Sequence, residues 1–138
     1  MRQFVAFAFV AALLILIGCA GANLAGTYRA DVRLIEGRQE STEPGCSLAE
    51  VNAKLRQNPR TLTLGSDSRY RLQSAEFVEE GSWNVEESVL LLRGDVSNGI
   101  AIRPALQKDR RWRLGDDGEI VNEGSYGHYN LEEVYLPD

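Results

Sequence analysis

The chain has 138 residues, 43% apolar and 25% charged, with 15 Lys and Arg against 20 Asp and Glu for a formal net charge of −5. That length suits one domain, and the dispersed apolar residues exclude wholesale disorder and a multi-spanning membrane protein. The acidic balance argues against nucleic acid as a partner, since phosphate binding needs basic surface.

Met1-Arg2-Gln3 carries one positive charge and precedes Phe4 to Ile17, a run without a polar side chain. This is the n-region and h-region pattern of an export signal. As a helix the run reaches about 21 Å, short of the roughly 30 Å of hydrocarbon that a spanning helix must cross. Leu16-Ile17-Gly18-Cys19 closes it, and these four residues resemble the lipobox of bacterial lipoproteins. The resemblance implies a signal peptide over residues 1–18, a diacylglycerol on the Cys19 thiol, cleavage just before Cys19 and acylation of the new amine. Two or more chains are what make such an anchor firm, because each buried CH₂ contributes only about 0.8 kcal/mol. Ala20 and Gly21 follow the cysteine with no aspartate, which by the rule for enterobacterial lipoproteins implies the outer membrane, with the protein facing the periplasm. Ala20-Gly21-Ala22 offers a competing A-x-A-like site that would release a soluble protein from Asn23, and an uncleaved anchor is the third option. Residues 19–25 then form a lipidated N-terminus and short linker, and residues 26–138 a single β-barrel domain.

In that domain Tyr28, Ala30, Val32 and Leu34 alternate with Arg29, Asp31 and Arg33, the period-two pattern of a half-buried strand. Glu36 to Gly45 is polar, with Gly37, Pro44 and Gly45, and reads as a loop. Ser47-Leu48-Ala49-Glu50 has the form of a capping box; Leu48, Val51 and Leu55 follow at helical spacing, and Asn58-Pro59 stops the run. This predicts one short helix plugging one end of a sheet. Strands are expected around Leu62 and Leu64, around Tyr70 and Leu72 after the Gly65-Ser66-Asp67-Ser68 turn, and over Gly81 to Val85 with Trp83 and Val85 inward. Further strands are expected over Val89 to Leu92, at Ile100 and Ile102 after Ser97-Asn98-Gly99, and at Trp112 and Leu114 before Gly115-Asp116-Asp117-Gly118. Ile120 continues beyond that turn, and Val134 with Leu136 marks a terminal strand. About eight short strands predict an all-β antiparallel meander, closed into a small barrel so that no edge stays open. Arg69-Tyr70-Arg71-Leu72 and Glu80-Gly81-Ser82-Trp83 are echoed by Arg111-Trp112-Arg113-Leu114 and Glu123-Gly124-Ser125-Tyr126; two copies are too few for a solenoid or propeller.

The order GTY, a loop with a cysteine, TLTL (Thr61 to Leu64), RYRL, EGSW and SVLLL (Ser88 to Leu92) resembles the small lipocalin-like barrels of bacterial envelope lipoproteins. The N-terminal barrel of the copper-response and envelope-stress type is one such relative. The resemblance implies a lipocalin-like barrel that binds or senses rather than catalyses. That family carries C-x-x-C in the loop after its first strand. Here Cys46 stands alone, so metal or redox signalling does not carry over.

Candidate sites follow from residue chemistry. Tyr28, Trp83 and Trp112 are expected either to line a mouth for a small apolar ligand or to serve as plain core. Arg69 and Arg71, and likewise Arg111 and Arg113, project from one face of their strands; brought together they would form a carboxylate- or phosphate-binding patch, and otherwise they pair with the abundant glutamates. With Cys19 lipidated, Cys46 is a free thiol, inert or open to an intermolecular disulfide. His128 has no partner motif, and neither a metal site nor a cofactor is expected. The doublets Glu79-Glu80, Glu86-Glu87, Asp116-Asp117 and Glu132-Glu133 read as solvated turns and strand ends, since neighbours on a strand face opposite ways. The leading function is a membrane-tethered binding or sensing module for a small ligand. The alternatives are a protein-interaction module, such as an envelope assembly factor, inhibitor or stress sensor, and a hydrolase with acids drawn from separate strands.

Overall fold

The computed structural model describes residues 24–126 and 129–138; the export segment, Cys19 and His128 lie outside the described residues. Strands β1 (Gly26–Leu34), β2 (Thr61–Leu64), β3 (Arg69–Gln73), β4 (Val78–Glu86), β5 (Val89–Ser97), β7 (Asp109–Leu114), β8 (Ile120–Tyr126) and β9 (Leu131–Pro137) each pair antiparallel with the next, and β9 returns to β1. The result is a closed eight-stranded barrel with the expected up-and-down order. Two-residue β6 (Ile100–Ala101) is not a stave. It pairs only with Val96 and Ser97 of β5, beyond the point where β7 takes over that edge. The expected strand at Ile100 and Ile102 is thus corrected to a short ladder, and a single 3-10 turn at Pro104–Leu106 leads back to β7.

Period two decides what faces inward. Tyr28, Ala30, Val32, Leu62, Leu64, Tyr70, Leu72, Trp83, Leu90, Leu92, Trp112, Ile120, Leu131 and Tyr135 form one buried cluster drawn from every stave. Helix α1 (Leu48–Gln57) forms as its sequence predicts. The Ser47 hydroxyl accepts from the Glu50 amide, and the Glu50 carboxylate accepts from the Ser47 amide, so two amides that the first turn leaves open are satisfied. Val51 and Leu55 enter the barrel cluster. The polar face also contributes: β2 pairs with β1 only as far as Arg29, and past that point the Asn52 amide replaces it. Asn52 accepts from the Val32 amide at 3.1 Å and donates to the Val32 carbonyl at 3.1 Å, as a neighbouring strand would.

The barrel therefore has two unlike ends. At the helix end stand α1, the β3–β4 turn and the β5–β7 connection. At the entry end the chain arrives at Gly26, and Trp83 donates its indole N–H to the Gly65 carbonyl at 2.9 Å, closing the β2–β3 turn.

Candidate functional site

Two carboxylates lie inside the barrel, where the sequence reading placed solvated ends. β4 begins at Val78, so Glu79 shares the inward parity of Gly81 and Trp83. β9 begins at Leu131, so Glu133 shares the inward parity of Leu131 and Tyr135. Each is held the same way. Glu79 accepts from the Tyr70 hydroxyl at 2.6 Å and from Arg110 Nη2 at 2.7 Å. Glu133 accepts from the Tyr135 hydroxyl at 2.6 Å, from Arg60 Nη1 at 2.6 Å and from Asn122 at 3.4 Å. A carboxylate buried without partners is prohibitively costly, and a tyrosine with an arginine on opposite oxygens offsets that cost. Burial, reinforced by the adjacent carboxylate, holds the hydroxyls of Tyr70 and Tyr135 far above the ordinary tyrosine range. These side chains are fixed hydrogen-bond donors near neutral pH. The doublet partners behave as alternation requires: Glu80 turns outward beside Arg71, and Glu132 turns outward to Arg33, which also holds Glu119 at 2.8 Å.

The glycines that make room for the first triad sit at a bulge where the β4–β5 register shifts between Glu80 and Gly81. A Cβ on Gly94 would come within 3.1–3.2 Å of the Glu79 carboxyl and the Tyr70 hydroxyl. A Cβ on Gly81 would lie 2.0 Å from the Arg93 carbonyl oxygen and 2.7 Å from the Tyr70 ring. The sequence shows these glycines, but nothing local says what they accommodate.

The three aromatics proposed as ligand lining are packed into this interior. Tyr28 donates its hydroxyl to the Leu24 carbonyl at 2.7 Å, Trp83 is held by Gly65, and Trp112 stacks on Tyr135 with centroids 5.0 Å apart and planes 18° from parallel. The four arginines are not brought together. β3 and β7 are separated by β4 and β5, so Arg69 and Arg71 stand three strand spacings, about 14 Å, from Arg111 and Arg113. Arg69 is bidentate on Asp95 at 2.6 and 2.8 Å, and its hydrogen bonds hold that carboxyl below the usual range. Arg71 lies 3.9 Å from Glu80, and Arg113 lies 2.7 Å from Glu123. An anion patch built from all four is therefore corrected to separate ion pairs, with Arg111 left over. Cys46 is a buried free thiol beside the Pro44 carbonyl at 3.7 Å. Among the described residues no group of three His, Cys, Asp or Glu could hold a metal ion.

What the interior lacks in free chemistry, the β5–β7 connection supplies on the outside. Ile100 and Leu106 are 72% and 65% exposed, the highest among the large apolar residues described. They are held in place. Asn98 and Val78 exchange hydrogen bonds at 2.7 and 2.8 Å, the Ile102 amide donates to the Asp95 carbonyl at 2.8 Å, and the Gln107 amide group donates to the Ile102 carbonyl at 3.0 Å. Arg103 and Lys108 lie within three residues of this apolar pair in the chain, both exposed and with no acid in ion-pair range among the described residues.

These features define an up-and-down β-barrel with a capping helix, buried carboxylates locked by tyrosine and arginine, and a β5–β7 connection that exposes two large apolar side chains and two cations. No protein-family model matches the chain, and comparisons with curated proteins and with solved structures likewise give no match. No helix among the described residues is long and apolar enough to cross a membrane.

Proposed function

We propose that this protein is an envelope lipoprotein, tethered through lipid on Cys19, whose barrel is an interaction module and not a carrier of small ligands. The observation that carries the choice is the state of the interior. Leu62, Leu64, Leu90, Leu92, Ile120, Leu131, Glu133 and Tyr135 are each at most 1% exposed, and the aromatics expected to line a ligand mouth are packed among them. A carrier barrel keeps concave apolar space with a few convergent polar groups. In this barrel the convergent polar groups bind one another, while the two most exposed large apolar side chains described, Ile100 and Leu106, sit on the β5–β7 connection, which fits association through the outside. The tether reading rests on Leu16-Ile17-Gly18-Cys19 and the short apolar run before it.

Native mass spectrometry after gentle extraction from the producing organism tests both halves. The expected species begins at Cys19, carries acyl mass and holds no small molecule. A bare thiol, or a start at Asn23, overturns the tether; a stoichiometric small apolar ligand overturns the interaction module.

A further inference from the structure

We propose that the β5–β7 hairpin is a docking element for an anionic lipid bilayer, one that faces the bilayer to which the chain is tethered. The connection between β5 and β7, residues 98–108, holds Arg103 and Lys108 and no acid, in a protein whose net charge is −5. Most strand arginines are matched: Arg29, Arg33, Arg69, Arg71 and Arg93 each meet a carboxylate. Arg103 and Lys108 do not. They lie within three residues of Ile100 or Leu106 along the connection, and hydrogen bonds to β5 and within the connection hold this segment while both apolar side chains stay exposed.

The pairing of features selects the partner. A small soluble anion would engage the cations and leave Ile100 and Leu106 in water. An apolar protein recess would take the tip and leave the cations unmatched. A bilayer interface with anionic headgroups takes both, with apolar side chains at the acyl boundary and cations among the phosphates. A deformable surface can take both groups without a matching recess. The position follows from topology. β1 runs from Gly26 at the entry end to Leu34 at the helix end, and β5 runs the same way, so the hairpin leaves the barrel at the end opposite Gly26. Nine residues of strand separate the ends by roughly 30 Å of chain. A protein tethered ahead of Gly26 thus holds the hairpin away from its own membrane. This last step rests on the tether reading; the lipid preference rests on the hairpin alone.

The test uses the full chain, reconstituted through its N-terminal segment into neutral phosphatidylcholine vesicles and mixed with labelled vesicles containing phosphatidylglycerol. Co-flotation of the two populations is expected, absent when the second population is neutral and lost at high salt. At about fivefold per basic residue near an anionic surface, R103E/K108E lowers apparent affinity on the order of 25-fold. I100S/L106S weakens docking while leaving its salt dependence in place. Equal co-flotation by wild type and both variants overturns the proposal, as does an equal loss per charge in R111E on the barrel wall, which would assign the attraction to general charge. Hairpin-dependent binding to polyglutamate with no binding to vesicles overturns it in favour of an acidic protein. If the chain is not retained by the first vesicles, the tether reading fails by itself. Direct co-sedimentation with phosphatidylglycerol vesicles then decides the lipid preference with the same variants.

Discussion

Raising the pH should unfold this protein through two tyrosines that never see water. Tyr70 and Tyr135 are 2% and 0% exposed, and burial first, then the carboxylates of Glu79 and Glu133, keep their hydroxyls protonated far above the ordinary value of 10.0. In the unfolded chain both ionise near that ordinary value. Above pH 10 the unfolded state therefore binds fewer protons than the folded state, and stability falls as pH rises. The stabilisation is fully present below pH 10 and drains through the interval above it. Each tyrosine contributes about 1.4 kcal/mol per pH unit, so the pair gives a slope near 2.7 kcal/mol per unit, and about 5 kcal/mol is lost two units above the onset. A typical domain has only about 5–15 kcal/mol in total. Tyr28, raised by burial, steepens the fall. Urea melts at a series of alkaline pH values, followed by circular dichroism and tyrosinate absorbance, measure the slope. The Y70F/Y135F variant should be less stable at neutral pH yet lose most of the alkaline slope. An unchanged slope in that variant, or tyrosinate appearing at Tyr70 and Tyr135 while the barrel stays folded, would refute the reasoning.

Glu133→Leu strands Arg60 and the Tyr135 hydroxyl in the interior, and should cost about 3–5 kcal/mol, a fall in Tm of roughly 12–20 °C for a domain of this size. Arg60→Met combined with Glu133→Leu should recover much of that loss, because the pair is then replaced by apolar volume; a double variant no better than the single one counts against the triad. Gly81→Ala places a methyl 2.0 Å from a backbone carbonyl of β5 and should cost about 3 kcal/mol or more, with loss of the neighbouring bulge, checked by thermal melting and amide exchange across β4 and β5.

The elements whose formation is local were legible from the residues. Ser47 and Glu50 start the helix because they satisfy each other's backbone amides within one turn, and Tyr28-Ala30-Val32 marks a stave because alternation is a property of the strand itself. Ile100 shows where that reasoning stops: apolar spacing after a turn reads as a strand and a strand forms there, but β7 holds the rest of that edge of β5, so the strand is only two residues long and Ile100 is left exposed. Ile100 thus joins Leu106 in the hairpin, which the sequence reading did not single out. Glu79 and Glu133 show it from the other side. Their inward parity was readable once Val78 and Leu131 were known to begin their strands, but a carboxylate at such a position is tolerable only with donors delivered to it. Arg110 comes from 31 residues beyond Glu79, and Arg60 from 73 residues before Glu133. The same holds for the arginines, whose outward direction alternation gave but whose separation depended on two strands closing between them. A residue type and its period fix which way a side chain points. What waits at the end of it is set by barrel closure, which brings together segments that share no local signal.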